Sequence, residues 1–231
     1  NLIRSMHVSV NFDTMSPLLP VLPFVLLAWP SRPVKAQVEM VVEPRTYYTP
    51  EGRPQVEVNM AFLSGTFGAV ANDRGFAQAR VEVLTLIERN DTIVAFEKTT
   101  VNGPESLDSI QNDLVHQEYF ALAPGIYDLL IEARDGSTAD TTQRRLRMPL
   151  AVGTLPPGMS IADILLAERI APSLEGERSK YGYTVAPLLS DYLPRSISKL
   201  NFYTEVHGAE RIFGHDSLYL LTYQIEGFES K

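Results

Sequence analysis

Between residues 38 and 152 apolar and polar residues alternate with a period of two, and this alternation constrains the fold more than any other feature of the sequence. The alternating segments are rich in β-branched and aromatic residues, and turn-forming residues interrupt them about every ten positions. Seven short strands at this spacing are typical of an immunoglobulin-like or fibronectin-like β-sandwich. We therefore predict an all-β protein whose first domain, residues 37–152, is such a sandwich. The predicted strands span residues 38–48, 55–63, 77–89, 92–101, 113–122, 126–134 and 143–152.

Asn90 and Asp91 separate two of these predicted strands. Both residue types tolerate the positive φ that a tight hairpin requires, so we expect the strands on either side to pair directly. The longer polar segment at residues 102–112 then fits a crossover between sheets, as in a Greek key.

Pro124 and Gly125 form a predicted turn, and Tyr127 opens the strand that follows. A tyrosine at this place is typical of the tyrosine corner of sandwich folds, where the ring is buried and its hydroxyl group bonds to the backbone. We interpret Pro124, Gly125 and Tyr127, like Asn90 and Asp91, as structural residues. The motif occurs in immunoglobulin-like, fibronectin-like and macroglobulin-like modules, so it does not distinguish these three classes.

Residues 153–159 are rich in proline and glycine and predict a linker between two domains. Residues 160–231 then form a second β domain. Its first segment, residues 160–168, has spacing that also fits a short helix, but we favour a strand. Too few strands follow to close a sandwich, so we predict a second sandwich that is incomplete; alternatively, these strands pack on the first domain as an extension of it. The later strands are predicted at residues 183–188, 199–207 and 218–225.

The N-terminal region contains an apolar run at residues 18–29 that is too short to cross a bilayer as a helix. Val34 and Ala36 are apolar or small, as a signal peptidase requires at the two positions that it recognises. We therefore predict a signal peptide at residues 15–36. We then interpret residues 1–14 as upstream, non-native translation before an initiator at Met15, with Met6 as the other candidate initiator. The alternative is a buried core helix. The signal peptide predicts export to the periplasm or cell surface, with no membrane span after cleavage.

Composition excludes several classes of function. The chain has no cysteine, which excludes disulfide scaffolds, thiolate metal sites and thiol nucleophiles. Its 28 acidic and 20 basic residues give a net charge of −8, so the chain has no excess of cations to neutralise phosphates. Nucleic acid is therefore not an expected partner.

No local motif predicts chemistry. The four histidines lack metal-site spacing, and His116 and Glu118, two residues apart on a strand, simply share a face. The loop at residues 135–140 lacks the pattern of a calcium site, and no phosphate loop or nucleophile elbow is present. We predict no catalytic residue, no cofactor and no metal. Six tyrosines could stack on a sugar or partner, although core positions are commoner for strand aromatics: Tyr181, Tyr183, Tyr192, Tyr203, Tyr219 and Tyr223.

The order of segments resembles exported proteins of Gram-negative bacteria that carry the GWxTD domain. The resemblance spans most of residues 37–231 and implies two β-sandwich modules followed by a domain with the Gly-Trp-x-Thr-Asp signature. That signature is absent here, since the single tryptophan is Trp29. The family's biochemical role is not established, so no functional residue is transferred. The matching segments are the signal peptide, Leu-Ala-Pro-Gly-Ile-Tyr at 122–127 with Asp135, Ile-Ala-Asp-Ile-Leu-Leu-Ala at 161–167, Tyr-Thr-Val-Ala-Pro at 183–187 and Leu-Asn-Phe-Tyr-Thr-Glu at 200–205.

These observations favour a non-catalytic exported protein whose sandwich modules mediate binding to protein partners, or spacing, in the cell envelope. One alternative is a carbohydrate-binding module of a larger secreted enzyme, which would make a glycan the ligand. Another is a macroglobulin-like module that interacts with proteases, although the lack of cysteine excludes its thioester version.

Overall fold

The computed structural model describes residues 37–107, 112–139, 141–176, 179–190, 199–214 and 222. Contacts place residues 36–218 in one compact unit, which contains every helix and strand given below. Thirteen strands and one five-residue helix occur in these described ranges. The all-β, sandwich-like fold class is confirmed.

All seven predicted strands of the first part are present, and each end lies within two residues of its predicted position. An additional short strand, β3, was not predicted. The strands are β1 (Met40–Tyr48), β2 (Pro54–Phe62), β3 (Ala69–Ala71), β4 (Ala77–Arg89), β5 (Thr92–Asn102), β6 (Leu114–Ala121), β7 (Gly125–Asp135) and β8 (Arg144–Val152).

The strands form two antiparallel sheets. One has the order β1-β2-β6, and the other places β4 between β5 and β7, with β8 outside β7 and β3 on the first residues of β4. The chain changes sheets between β5 and β6, as the predicted crossover at residues 102–112 requires. Residues 108–111 of that segment lie outside the described residues.

The inner faces of the two sheets share one hydrophobic core. Alternate residues of β2, including Val56 and Met60, lie in the same cluster of buried side chains as Val83 of β4 and Leu129 of β7. Burial of such a side chain contributes about 1.5–3 kcal/mol relative to exposure, so this core is the main source of the sandwich's stability.

A third layer follows the sandwich. The predicted strand at 160–168 is two strands separated by residues 162–164, because the carboxylate of Asp163 there accepts a hydrogen bond from the backbone N–H of Thr46 (2.7 Å). The predicted strand at 199–207 is likewise two strands. Its elements are β9 (Ser160–Ile161), β10 (Leu165–Pro172), β11 (Tyr183–Pro187), β12 (Asn201–Tyr203), β13 (Val206–His207) and α1 (Ala209–Phe213).

This layer contains a sheet of order β11-β10-β12 and a separate pair, β9 and β13. Within the described residues, the core of the three-stranded sheet has only three buried side chains, Leu165, Ala167 and Val185. A core of this size is too small to stabilise a domain by itself, so we expect the sheet to depend on its contacts with the sandwich. The division into two domains stays a prediction, and the strand at 218–225 lies outside the described residues except for Thr222.

In the described ranges, no helix is both long and apolar enough to cross a membrane. The predicted signal peptide at residues 15–36 and the upstream residues 1–14 lie outside the described residues.

Candidate functional site

The hairpin residues Asn90 and Asp91 connect β4 to β5. Both have positive φ, 51° and 58°, and the flanking residues Arg89 and Thr92 are paired. Two successive left-handed residues match the twist of the strands that they join. Their geometry is that of a tight turn and brings no chemical group into a site.

Tyr127 is buried, and its hydroxyl group donates a hydrogen bond of 2.7 Å to the carbonyl of Ala123. Gly125 begins β7 at a crowded position, where an added Cβ would lie 3.4 Å from both Arg89 Cζ and Tyr127 Cε2. Pro124 lies in the bend just before it. The structure therefore brings Pro124, Gly125 and Tyr127 together at one corner of the sandwich.

His116 and Glu118 lie on the core-facing side of β6, paired in register with Met60 and Val58 of β2. The imidazole Nε2 lies 3.3 Å from Oε1 of Glu118, whose side chain is fully buried. Neither carboxylate oxygen of Glu118 has a hydrogen-bond partner. Burial of a carboxylate without hydrogen bonds is costly, which marks this position as unusual.

Sequence reasoning missed a second set of buried polar groups, centred on Lys180. The ammonium group lies 2.5 Å from Oε2 of Glu57, and the two side chains are 13% and 1% exposed. The same nitrogen lies 3.6 Å from the ring centroid of Tyr47 and 4.8 Å from that of Tyr203. Lys180 thus occupies an aromatic box with one carboxylate, in which ion pairing and cation–π attraction act together.

The polar contacts continue from this box into the third layer. Tyr203 donates a hydrogen bond of 2.7 Å to Oε1 of Glu205, and the other oxygen of Glu205 lies 3.2 Å from Nε2 of His207. The His207 ring packs edge-on against Tyr48, with centroids 5.5 Å apart. We name Glu57, Lys180, Tyr47, Tyr203, Glu205 and His207 the Lys180 cluster.

Burial shifts the ionisation of several groups in the Lys180 cluster. Desolvation lowers the pKa of Lys180, and the charge of Glu57 opposes that shift. Desolvation, followed by the charge of Glu57, raises the pKa of Tyr47 far above its ordinary value. The pKa of Tyr203 is also raised, by desolvation and then by its hydrogen bond to Glu205. Both phenols therefore remain neutral partners for the cation.

The Lys180 cluster fixes the start of β11 on the outer face of the β1-β2-β6 sheet. The backbone of Lys180 exchanges hydrogen bonds of 2.8 and 3.0 Å with Tyr183, the first residue of β11. Tyr181 and Gly182 both have positive φ, 49° and 85°, so the chain makes a tight turn between Lys180 and Tyr183. Because Lys180 is anchored to Glu57 of β2, the position of β11 is tied to that of β2.

A groove of about 550 Å³ lies beside β6. Its walls are Glu97 of β5, residues 115–119 of β6 and residues 184–187 of β11. In the described part of the chain, β6 pairs only with β2. The groove therefore runs along the outer edge of a sheet, between the sandwich and the third layer.

The chain matches no family model, no curated protein and no solved structure. The resemblance to GWxTD-domain proteins therefore stays a prediction. Among the described residues, no group of three or more His, Asp or Glu side chains is arranged to hold a metal ion.

The remaining tyrosines of the sequence prediction occupy different environments. Tyr181 and Tyr183 are exposed, at 68% and 50%, on the turn that precedes β11 and at its start. Tyr203 belongs to the Lys180 cluster, whereas Tyr192, Tyr219 and Tyr223 lie outside the described residues. Two physical features thus remain as candidates for function, the Lys180 cluster and the groove beside β6. The first positions structural layers, and the second is open to a ligand.

Proposed function

We propose that the protein is a non-catalytic exported protein that acts through its β-sheet layers in protein binding or structural spacing in the cell envelope. The observation that carries the proposal is the groove beside β6: this strand pairs only with β2 among the described strands, and the groove is lined by the carboxylates of Glu97 and Glu118. Open strand edges are used for protein recognition because their backbone groups can pair with another chain.

The Lys180 cluster supports the same function. A binding or spacing module gains affinity when its surfaces are held in one geometry before the partner arrives. The ion pair between Lys180 and Glu57 does this by joining β11 to β2. Because β2 pairs with β6, the ion pair fixes the β11 and β6 walls of the groove. The buried charges of the cluster are thereby accounted for by a positioning role.

Export is supported by the predicted signal peptide at residues 15–36 and by the place where the core begins. Val38 is buried in the core of the sandwich and β1 begins at Met40, so cleavage after Ala36 leaves the core complete. We expect the mature protein to begin at Gln37 and to be recovered from the periplasm or cell surface. N-terminal sequencing of the protein from fractionated cells tests this, and recovery of uncleaved chain in the cytoplasm would contradict it.

Protein binding is tested with the tagged full chain, cross-linked in the cells that produce it and purified from their envelope fraction. We expect one or a few partners at fixed stoichiometry that a tagged control protein of the same compartment does not capture. Failure to enrich any such partner, or turnover of a substrate by the purified protein, would overturn the proposal.

A second candidate function is carbohydrate binding, which the exposure of Tyr181 and Tyr183 favours. Two exposed rings on a rigid turn could stack on sugar faces. A glycan array with the full chain tests this, and Tyr181→Ala should abolish any signal. Phe96→Ala, which removes an equally exposed aromatic ring from β5, is the matched control. A flat array would remove this candidate.

A further inference from the structure

The edge strand β6 lacks most of the features by which edge strands avoid pairing with other chains. It is eight residues long, its register with β2 has no bulge, and it contains no proline, lysine or arginine. The other edges of the sandwich do have such features: Pro44 in β1, Lys98 in β5 and Pro149 in β8. Proline, basic residues and bulges are the usual protection against strand addition, so β6 is the edge best suited to accept a strand among the described strands of the sandwich.

The exception is Glu118, which points inward from this edge. Its Oε2 atom has no hydrogen-bond partner, and the residue is 2% exposed. A residue placed directly opposite Glu118 on an added strand would point to the same face, with its Cβ about 4.5–5.5 Å away. An acidic side chain there would be repelled, whereas a lysine or arginine would satisfy the carboxylate. The inward charge thus selects which strands can be added.

The other lining residues give the two faces of an added strand different chemistry. Glu97 lines the groove as a second carboxylate, from β5. On the opposite side lies Val115, an exposed apolar residue, together with Ala186 and Pro187 of β11. One face of an incoming strand therefore meets two carboxylates and the imidazole of His116, and the other meets a mixture of apolar and polar side chains, among them Val115 and Gln117.

We propose that the groove binds an extended segment of a partner protein, which adds to β6 around Val115 and Gln117 as a strand of one fixed orientation, either antiparallel or parallel. The segment has alternating basic and apolar side chains, with a basic residue opposite Glu118. This inference rests on the proposed protein-binding function and identifies the chemistry of the partner. A single extended segment fits the groove because β5 and β11 wall it on both sides, whereas a second copy of the chain would have to bring a whole sandwich to the same edge.

The test uses the full chain and three fluorescent octapeptides with alternating Lys-Val, Ser-Val or Glu-Val sequences. We expect the Lys-Val peptide to bind at least about tenfold more tightly than the Glu-Val peptide, since lysine can form a charged hydrogen bond with the buried carboxylate and glutamate cannot. The Ser-Val peptide should lie between them. Fluorescence anisotropy gives the three dissociation constants.

Main-chain pairing is tested with two further Lys-Val peptides, N-methylated at every odd or every even residue. An added strand presents only one of these sets of N–H groups to β6. We expect one isomer to lose binding by more than about tenfold and the other to retain it, a difference that charge attraction alone would not produce.

Glu118→Gln should reduce the preference for Lys-Val over Ser-Val by about tenfold, and Glu97→Gln should reduce it by a smaller factor. Glu97 is exposed, so its variant keeps the test valid if Glu118→Gln fails to fold. Glu51→Gln, in the exposed turn between β1 and β2, is the matched control and should leave the preference unchanged.

Three results would overturn the inference: no binding of the Lys-Val peptide up to about 1 mM, equal binding of Lys-Val and Glu-Val, or equal binding of both N-methylated isomers. If the chain forms a dimer and the Lys-Val peptide dissociates that dimer, the groove binds a second copy of the chain. This result would also overturn the inference. If an envelope partner is captured equally by the wild type and Glu118→Gln and the peptide does not displace it, this inference fails while the proposed protein-binding function stands.

Discussion

The ammonium group of Lys180 and the carboxylate of Glu57 form a buried ion pair between the third layer and β2, the central strand of the β1-β2-β6 sheet. Their separation is 2.5 Å, and Tyr47 and Tyr203 enclose the cation. Such a pair need not add net stability relative to an apolar pair, but removal of one partner leaves a buried charge without compensation.

Lys180→Met should therefore lower the free energy of unfolding by about 3–5 kcal/mol, because Glu57 is left charged and buried. The double variant Glu57→Gln/Lys180→Met should recover most of this loss. Urea unfolding followed by circular dichroism measures both values. Equal stability of the single and double variants would show that the two groups are not coupled.

Tyr47 should make the protein sensitive to alkali. Burial and Glu57 raise its pKa above the ordinary value of 10.0, so above that pH the unfolded chain releases a proton that the folded chain retains. The stabilising contribution is fully present below pH 10.0 and is lost as the pH rises further, with a maximum slope of about 1.4 kcal/mol per pH unit.

Tyr47→Phe should show a shallower loss of stability above pH 10.0 than the wild type. The titration of Lys180 has the opposite effect on the free energy of unfolding, at lower pH. Because its folded pKa is lowered, the unfolded chain binds more protons and stability rises with pH toward the ordinary pKa of lysine. Urea unfolding at several values between pH 8 and pH 11 separates the two effects, and parallel curves for the wild type and Tyr47→Phe would contradict the prediction.

The corner hydrogen bond of Tyr127 gives a third prediction. Tyr127→Phe removes its 2.7 Å bond to the carbonyl of Ala123 and should lower the free energy of unfolding by about 1 kcal/mol. Tyr183→Phe removes a hydroxyl group from a half-exposed ring and should change stability little. Thermal unfolding of both variants provides the comparison, and equal melting temperatures would assign Tyr127 a packing role alone.

The turn between β4 and β5 gives a fourth prediction. Asp91 has a φ of 58°, a conformation that costs a non-glycine residue about 1–2 kcal/mol. Asp91→Gly should stabilise the protein by about 0.5–1 kcal/mol, because Asn-Gly is the preferred sequence for this turn, whereas Asp91→Val should destabilise it. A loss of stability in Asp91→Gly, measured by urea unfolding, would mean that the Asp91 side chain stabilises the turn.

The sandwich strands could be predicted because alternation directly reflects burial on one face of each strand. The short strand β3 was missed because its sequence, Ala-Val-Ala, has no polar residue to alternate with. The hairpin at Asn90 and Asp91 was found for a different reason: turn geometry is encoded locally in residues that tolerate positive φ.

The Lys180 cluster could not be predicted in this way. Glu57 lies at an alternating polar position of β2, which in an isolated sandwich faces solvent. Lys180 lies between the predicted strands at residues 160–168 and 183–188, where the sequence predicts no strand. Their pairing depends on a third layer covering the sheet, and alternation within one strand carries no information about such a layer. The shared face of His116 and Glu118 was predictable, but the burial of Glu118 was not.

The double burial of β2 changes how substitutions should be tolerated along the strand. From Val56 to Phe62 every residue is buried. The even-numbered positions face the sandwich core, and the odd-numbered ones lie on the opposite face, where Lys180 of the third layer covers Glu57. In a saturation mutagenesis experiment, most strands of this protein should show tolerance at every second position. β2 should instead appear as an unbroken run of seven intolerant positions, as if it belonged to the interior of a much larger protein.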